Sequence, residues 1–415
     1  MSYALSDTPD ASVEAIVIKA ANAPKTLMDA STGNITGSIR PKGLILTKEQ
    51  IIDLYRYEQK GLQLPTSDAD VSAYLGYDQS NPPGRGLEVK DFIKTFSIIK
   101  THASQWAGLR QRIRSISDEL KIFASSIMNT GKHVTNTLDT IASLKILKEY
   151  GIKTLEDLKR IEAELGDKFP GVELDEDDEE ALSTLAGFLS SLLEKVEARE
   201  RQTDALQQDL DNFAKALATE VRAEIKFRLE AIDNNTFKED VILLQTEIEA
   251  LNEEIDEKNA SYKQTVKDSL TSATQLNVIG LGMAIYTGIE AEKIRKARNE
   301  LKASRDKKNA EMGTKSTVLK RLNQVKADMQ DLEFLSLQAD AATENLVTVW
   351  NSLHLFVKTS KEQSEAITDA LQVSALAYHL DEVIGPWTHI LGQADELHEV
   401  FIEAENEIKN LNIHA

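Results

Sequence analysis

The sequence contains no cysteine, which removes disulfides, thiolate catalysis and thiolate metal sites together. Proline is nearly as scarce: eight occur, six of them before residue 87, and the 215 positions from Gly171 to Gly385 hold none. Glycine is absent from Phe188 to Ile279. Turns of strand-based folds draw on both residues, so few such folds can be written with so little of either. Aromatic residues make up only 6% of the 415 positions. Net positive charge is lacking too, with 48 basic against 68 acidic residues, or −20, which counts against nucleic acid as a main partner. The opening stretch MSYALSDTPDASVEAIVIKAANAPK has neither a basic n-region nor an apolar run of signal-peptide length, so no Sec-type signal is visible.

Catalytic and cofactor patterns are missing as well. Seven histidines form no HExxH pair, so no metal site is expected. GLGMAI carries two of the three glycines of a dinucleotide fingerprint but follows no strand, and NTGKH (129–133) lacks the first glycine and the Ser or Thr of a P-loop. No GxSxG occurs. The chain reads as a non-enzyme without cofactors. Seven carboxylates in the eight positions Glu173 to Glu180 lack the glycine and ligand alternation of a calcium loop; they suit a helix start, where the dipole favours negative charge.

What is present is helical periodicity. Thr47 and Gln50 form a capping box ahead of IIDLYRY. Phe92, Phe96, Ile99, Ala103, Trp106, Ile113, Ile116, Leu120, Phe123 and Ile127 lie on three- and four-residue steps, predicting a helix of about 60 residues that ends near Gly151, with a kink possible at Gly131. Leu182, Leu185, Leu189, Leu192 and Val196 continue the pattern, followed by Leu206, Leu210, Phe213 and Leu217. After a pause at Asp233–Asn235, Thr236 and Glu239 make a second capping signal, and Phe237, Val241, Leu244, Ile248, Leu251 and Ile255 alternate strictly as in a coiled-coil seam. Val318, Leu322, Val325, Met329 and Leu332 repeat the alternation, and helical spacing runs on through Trp350 and Leu353 to a break at Gly385–Pro386.

Between Asp268 and Glu290 lie 21 uncharged residues, SLTSATQLNVIGLGMAIYTGI, in a chain that is 28% charged. Its apolar part, Leu276 to Ile289, is 14 residues long, too short for a stable lipid-spanning helix of about 20 residues. A reversal near Gly280, Gly282 or Gly288 would leave arms of 102 residues (Asp178–Ile279) and 95 residues (Glu290–Ile384), folding into an antiparallel hairpin with the apolar segment at its remote tip. An exposed apolar tip marks a partner or membrane site. From Glu290 to Lys326 there are 12 basic and five acidic residues, a local excess that suits contact with anionic headgroups, Lys293, Arg295, Lys296 and Arg298 being nearest the tip. The competing reading pairs these cations with Glu247, Glu249, Glu253, Glu254, Asp256 and Glu257 of the opposing arm.

A cap of short helices, a long hairpin, the apolar foot SLTSATQLNVIGLGMAIYTGI and the basic exit EKIRKARNELKASRDKK together resemble the A components of the alpha-xenorhabdolysin-type binary cytolysins, over about residues 40 to 411. The resemblance rests on architecture and length, since no short diagnostic motif anchors it. It implies an all-α, elongated helical rod with a bundle tail, a long antiparallel coiled-coil hairpin and an apolar tip. It also implies a two-component α-helical pore-forming toxin, secreted without a Sec-type signal and soluble until it meets the target-cell membrane. The chain would bind that membrane through its foot and recruit a B component into a hetero-oligomeric ring. The foot residues are then Leu276, Val278, Ile279, Leu281, Met283, Ala284, Ile285, Tyr286 and Ile289, with Gly280, Gly282 and Gly288 as hinges. The implied organisation is a cap at 1–86, long helices of the tail at 87–232, a neck and head hairpin at 233–340 with its foot at 269–289, and returning helices at 341–415. A coiled-coil scaffold, or a secretion translocator whose apolar segment binds another protein, is the alternative.

Overall fold

The computed structural model describes residues 11–33, 41–77, 85–233, 239–275, 289–313 and 316–413. These residues form thirteen α-helices and no strand; one isolated bridge joins Glu173 to Asp369. The N-terminal helices are α1 (Ala11–Thr32), α2 (Lys48–Leu62) and α3 (Asp68–Leu75). The 50-residue α4 (Val89–Leu138) follows, then the short α5 (Ala142–Glu149) and α6 (Leu155–Leu165). α7 (Glu176–Ala216) runs through a wide π turn, Leu217–Val221, into α8 (Arg222–Asp233). The remainder comprises α9 (Glu239–Gln275), α10 (Ile289–Met312), the 50-residue α11 (Thr317–Ala366), α12 (Ala370–Ile384) and α13 (Trp387–Ile413).

The apolar stripes read from the sequence meet in one interior. Phe92, Phe96, Trp106, Ile113, Leu120, Phe123 and Ile127 of α4 are buried, as are Leu185, Leu189, Leu192 and Val196 of α7. Register is fixed by polar pairs on the rim. Arg112 pairs with Asp209, Arg199 with Glu119 at 2.8 Å, and Lys195 donates to Ser126 at 2.9 Å, so α4 and α7 are antiparallel. α13 also runs against α4, through Arg114–Glu405 at 2.8 Å and the pair Lys121–Asp395. At the centre Phe123 meets Trp350 and Trp387 edge-on at 5.0 and 4.9 Å, which joins α4, α11 and α13 in an aromatic cluster. Aromatic side chains this deeply buried contribute the largest hydrophobic share per residue.

α2 closes this body from the N-terminal side. The capping box at Thr47 is formed on both sides, Gln50 N donating to Thr47 Oγ1 and Thr47 N to Gln50 Oε1 at 2.7 Å. Further along, Tyr57 Oη lies 2.7 Å from His102 Nδ1, and His102 Nε2 lies 2.9 Å from the Phe213 carbonyl oxygen. Burial pushes the imidazole pKa down, so the neutral ring donates to Phe213 and accepts from the Tyr57 hydroxyl. One histidine thereby ties α2 to α4 and α7.

Several boundaries differ from the sequence expectations, each for a tertiary reason. α4 ends at Leu138 rather than Gly151, because the buried Asp178 carboxylate accepts from Ala142 N at 2.7 Å and Ser143 N at 3.3 Å and so starts a separate helix. The acidic run does open α7, capped by Asp175, which accepts from Asp178 N at 2.8 Å. Gly131 does not interrupt its helix. A Cβ there would lie 2.7 Å from Ile384 Cγ2, so the glycine admits the end of α12 against α4. The last long helix breaks at Ile367–Asp369, before Gly385, because Asp369 accepts from Gln372 N at 3.0 Å and caps α12.

The π turn has a legible cause. Phe213, Leu217, Val221 and Ile225 are all buried, and three successive four-residue steps would drift about 40° each around a regular helix. One wide turn absorbs the drift and keeps the stripe facing inward.

Candidate membrane-binding hairpin

α9 and α10 form an antiparallel pair. Lys308 reaches Glu247 at 2.7 Å, while Arg298 Nε donates to Asn259 Oδ1 at 2.8 Å, so rising numbers on α9 meet falling numbers on α10. α10 therefore runs in the direction opposite to α9. At about 1.5 Å per residue, the 37 residues of α9 extend for about 55 Å and the 24 of α10 for about 36 Å.

The arms of 102 and 95 residues expected from the sequence are divided differently. α8 turns back into α9, with Arg222 reaching Asp256 at 2.9 Å. α10 turns back into α11 at Gly313, where Ser316 caps the new helix by accepting from Leu319 N. A Cβ on Gly313 would meet only the flexible end of the Lys320 side chain, Cδ at 2.5 Å, so the lysine packs over the glycine at this reversal. The α9–α10 pair is thus folded back along the first half of α11, which runs parallel to α9.

Leu276, Val278, Ile279, Leu281, Met283, Ala284, Ile285 and Tyr286 lie outside the described residues, as do Gly280, Gly282 and Gly288. Ile289 opens α10, and its side chain is also outside the description. Of the four cations assigned to headgroups, Lys293 and Lys296 are exposed, Lys293 resting 3.2 Å from Glu290. Arg295 is half-buried and clamps Glu292 through two hydrogen bonds of 2.7 and 2.5 Å.

Arg298 corrects the sequence reading. Its side chain is 3% exposed, donates to Asp331 at 2.7 Å and to the Gln330 carbonyl at 3.2 Å, and stacks over Phe334 at 4.4 Å. In this arrangement it points into the protein and faces no headgroup. Arg305 is buried beside it, donating to Gln330 Oε1 at 3.0 Å and to Asp331 at 3.4 Å, and Lys302 reaches the same carboxylate at 3.0 Å. Burial alone would push the Asp331 carboxyl up, but Arg298, Lys302 and Arg305 hold it below the usual carboxylate value. Pairing across to α9 therefore accounts for Lys308, whereas the innermost cations are collected by one aspartate on α11.

The side chains of Val318, Leu322, Val325, Met329 and Leu332 lie outside the description, but Leu319, Asn323, Ala327, Gln330, Phe334 and Gln338 of α11 are buried. Several of these are polar, and they match polar partners. Asn323 donates to Gln245 at 2.7 Å, Gln330 Nε2 to the Asn252 carbonyl at 2.8 Å, and Gln338 pairs with Gln50. Sequence reasoning followed the apolar seam, of which Val241, Leu244, Ile248 and Ile255 are buried, Leu251 is half-buried and Phe237 lies outside the described residues, and missed the polar series Gln245, Asn252 and Asn259 beside it. Their seven-residue spacing was a usable signal, as was the same spacing of Arg298 and Arg305 and of Asn323 and Gln330.

No described helix is long and apolar enough to cross a membrane, and among the described residues no cluster of His, Asp and Glu could hold a metal ion. The class these features define is an all-α protein of long packed helices bearing a folded-back antiparallel hairpin. The chain matches no protein-family model and no curated protein. Among solved structures it is similar to YaxA from Yersinia enterocolitica, at 25% identity over 88% of this chain and 100% of that one, with a TM-score of 0.48. It is similar to XaxA from Xenorhabdus nematophila at 21% identity over 89% and 99%, TM-score 0.45. Soluble SmhA of the tripartite alpha-pore forming toxin Smh from Serratia marcescens aligns at 12% identity over 92% and 96%, TM-score 0.45.

Proposed function

We propose that this chain is the membrane-anchoring subunit of a two-component α-helical pore-forming toxin, secreted in soluble form and joining a B component at the target membrane in a heteromeric ring. The observation that carries the reading is that the uncharged segment 269–289 takes in the last residues of α9 and the first of α10, two antiparallel helices, with exposed Lys293 and Lys296 following in α10. Apolar side chains flanked by cations suit entry among acyl chains with the ammonium groups at headgroup level. The foot comprises Leu276, Val278, Ile279, Leu281, Met283, Ala284, Ile285, Tyr286 and Ile289, with Gly280, Gly282 and Gly288 allowing it to change shape. A segment this short anchors without spanning, so the channel wall falls to the partner. In domain terms, residues 233–340 engage the membrane and the remainder forms the tail.

Dye release and flotation with liposomes test the reading. The protein alone is expected to float with the vesicles and release little dye, with release following addition of a B component, for which the product of the adjacent gene is the one to test. Ile279→Asp combined with Ile285→Asp abolishes flotation and leaves helical content unchanged, because charge in hydrocarbon is costly. A wild-type chain that stays in the soluble fraction would move the assignment to a coiled-coil scaffold.

A further inference from the structure

A second feature lies at the far end of α10 from the foot, about 36 Å away along that helix. There the first turns of α11 approach α2, α3 and the early part of α4, leaving two adjoining cavities of about 330 and 570 Å³ that share Leu64, Tyr74 and Arg321 as walls. Cations dominate the lining: Lys60, Lys100, Lys320 and Arg321, against the single carboxylate of Asp70 among the described residues. Asp70 is engaged locally, its Oδ2 accepting from Ser67 Oγ at 2.6 Å. In a chain of net charge −20 this is a reversed local field.

The contrast with the hairpin is instructive. There, Arg298, Lys302 and Arg305 all have carboxylate partners. In the cleft, no described carboxylate pairs with Lys100, Lys320 or Arg321. Arg321 instead lies over the Tyr74 ring, its guanidinium carbon 3.6 Å from the centroid, and Tyr74 is held edge-on by Phe96 at 5.4 Å. The guanidinium is thereby oriented by an aromatic face, which leaves its donors available to an acceptor in the cleft. Leu64 supplies an apolar surface beside the cations, and the volume is that of a small-ligand site.

We propose that this cleft binds a phosphate group carried on a small organic stem, with Lys100 and Arg321, which line the same cavity, on the oxyanion and the Tyr74–Leu64 surface of that cavity against the stem. Planar guanidinium and mobile ammonium donors together match a phosphate, and carbon lining rewards an ester over the free ion. The site is separate from the foot, so it stands or falls independently of the toxin reading.

Calorimetric titration of the full chain with inorganic phosphate and with glycerol 3-phosphate, at ionic strength matched by chloride, tests it. Saturable binding at one site is expected, tighter for the ester, with a rise in unfolding temperature that chloride does not reproduce. Lys100→Gln with Arg321→Gln is expected to weaken binding at least tenfold while leaving the circular dichroism unchanged, whereas Lys307→Gln, an exposed lysine elsewhere on α10, leaves binding intact. Equal responses to phosphate and chloride, or undiminished affinity in the double variant, overturns the proposal. Sedimentation with phosphatidylcholine vesicles, with and without phosphatidic acid, distinguishes the source. Capture that needs both phosphatidic acid and the two side chains assigns a lipid headgroup; calorimetric binding without that dependence assigns a soluble phosphate ester.

Discussion

The two halves of α11 are packed against different materials. Its second half places Trp350, Leu353, Phe356 and Val357 into an interior built of carbon, shared with α4, α7 and α13. Its first half faces α9 and α10 with Asn323, Gln330 and Gln338, and there meets Gln245, Asn252, Asn259, Arg298 and Arg305. Separating the first kind of interface exposes apolar surface at about 25 cal/mol per Å². Separating the second returns amides and guanidinium groups to water, which replaces much of what they lose. Among the described residues, the side-chain amides of Asn252 and Asn309 are buried in the polar interface without a hydrogen-bond partner, as are the indole N–H groups of Trp106 and Trp387 in the carbon interior. The contrast teaches that the hairpin can be held in one specific register without being held tightly. Under the anchoring role proposed above, such a division would place the weaker attachment next to the uncharged segment.

The largest effect should come from the carbon interior. Phe123→Ala removes the ring between Trp350 and Trp387 and is expected to destabilise the whole protein by about 3–5 kcal/mol, seen as a lower midpoint in chemical unfolding. Asp331→Asn should act more locally. It leaves Arg298, Lys302 and Arg305 without their shared anion, at a cost of about 3 kcal/mol, and hydrogen exchange should accelerate in 289–312 while α4 and α7 keep their protection. A uniform loss of protection would show that hairpin and body unfold as one unit and would remove the distinction. Asn252→Leu should have the smallest effect and the opposite sign. Replacing an unpartnered buried amide by carbon is expected to slow exchange in α9 by an amount corresponding to about 1 kcal/mol; faster exchange would mean that the amide is better satisfied than its geometry indicates.

Local rules read well in this chain. The Thr47–Gln50 capping box, the acidic start of α7 and the apolar stripes of α4 and α7 depend on residues near one another in sequence, and all are found in the structure. Errors arose where a distant group decided the outcome. The break after Leu138 depends on Asp178, some 40 residues on, and the packing of Gly131 depends on Ile384. Gly313 was passed over because a lone glycine between helical patterns is ambiguous; the serine that caps the next helix, Ser316, was the accompanying sign. For the hairpin, the basic residues after the apolar segment read either as a headgroup surface or as partners of the opposing arm, and Lys308 takes the second role with Glu247. Charge composition is silent about which cations face inward, and Arg298 and Arg305 lie on the inner face because Asp331 and Gln330 await them on α11.

The π turn at Leu217–Val221 acts as a phase setting for the helix that follows it. In a regular helix each residue advances the azimuth by about 100°, so a chain one residue shorter at this point would present a different face of α8 to the body. Arg228, which now reaches the Gly86 carbonyl at 2.6 Å and Thr95 at 3.1 Å, would be swung away from α4, and Arg222 from Asp256. The face that α8 turns toward α4 is thus written in this one wide turn, and a change of length here would re-aim α8 while the hairpin keeps its own hold on α11.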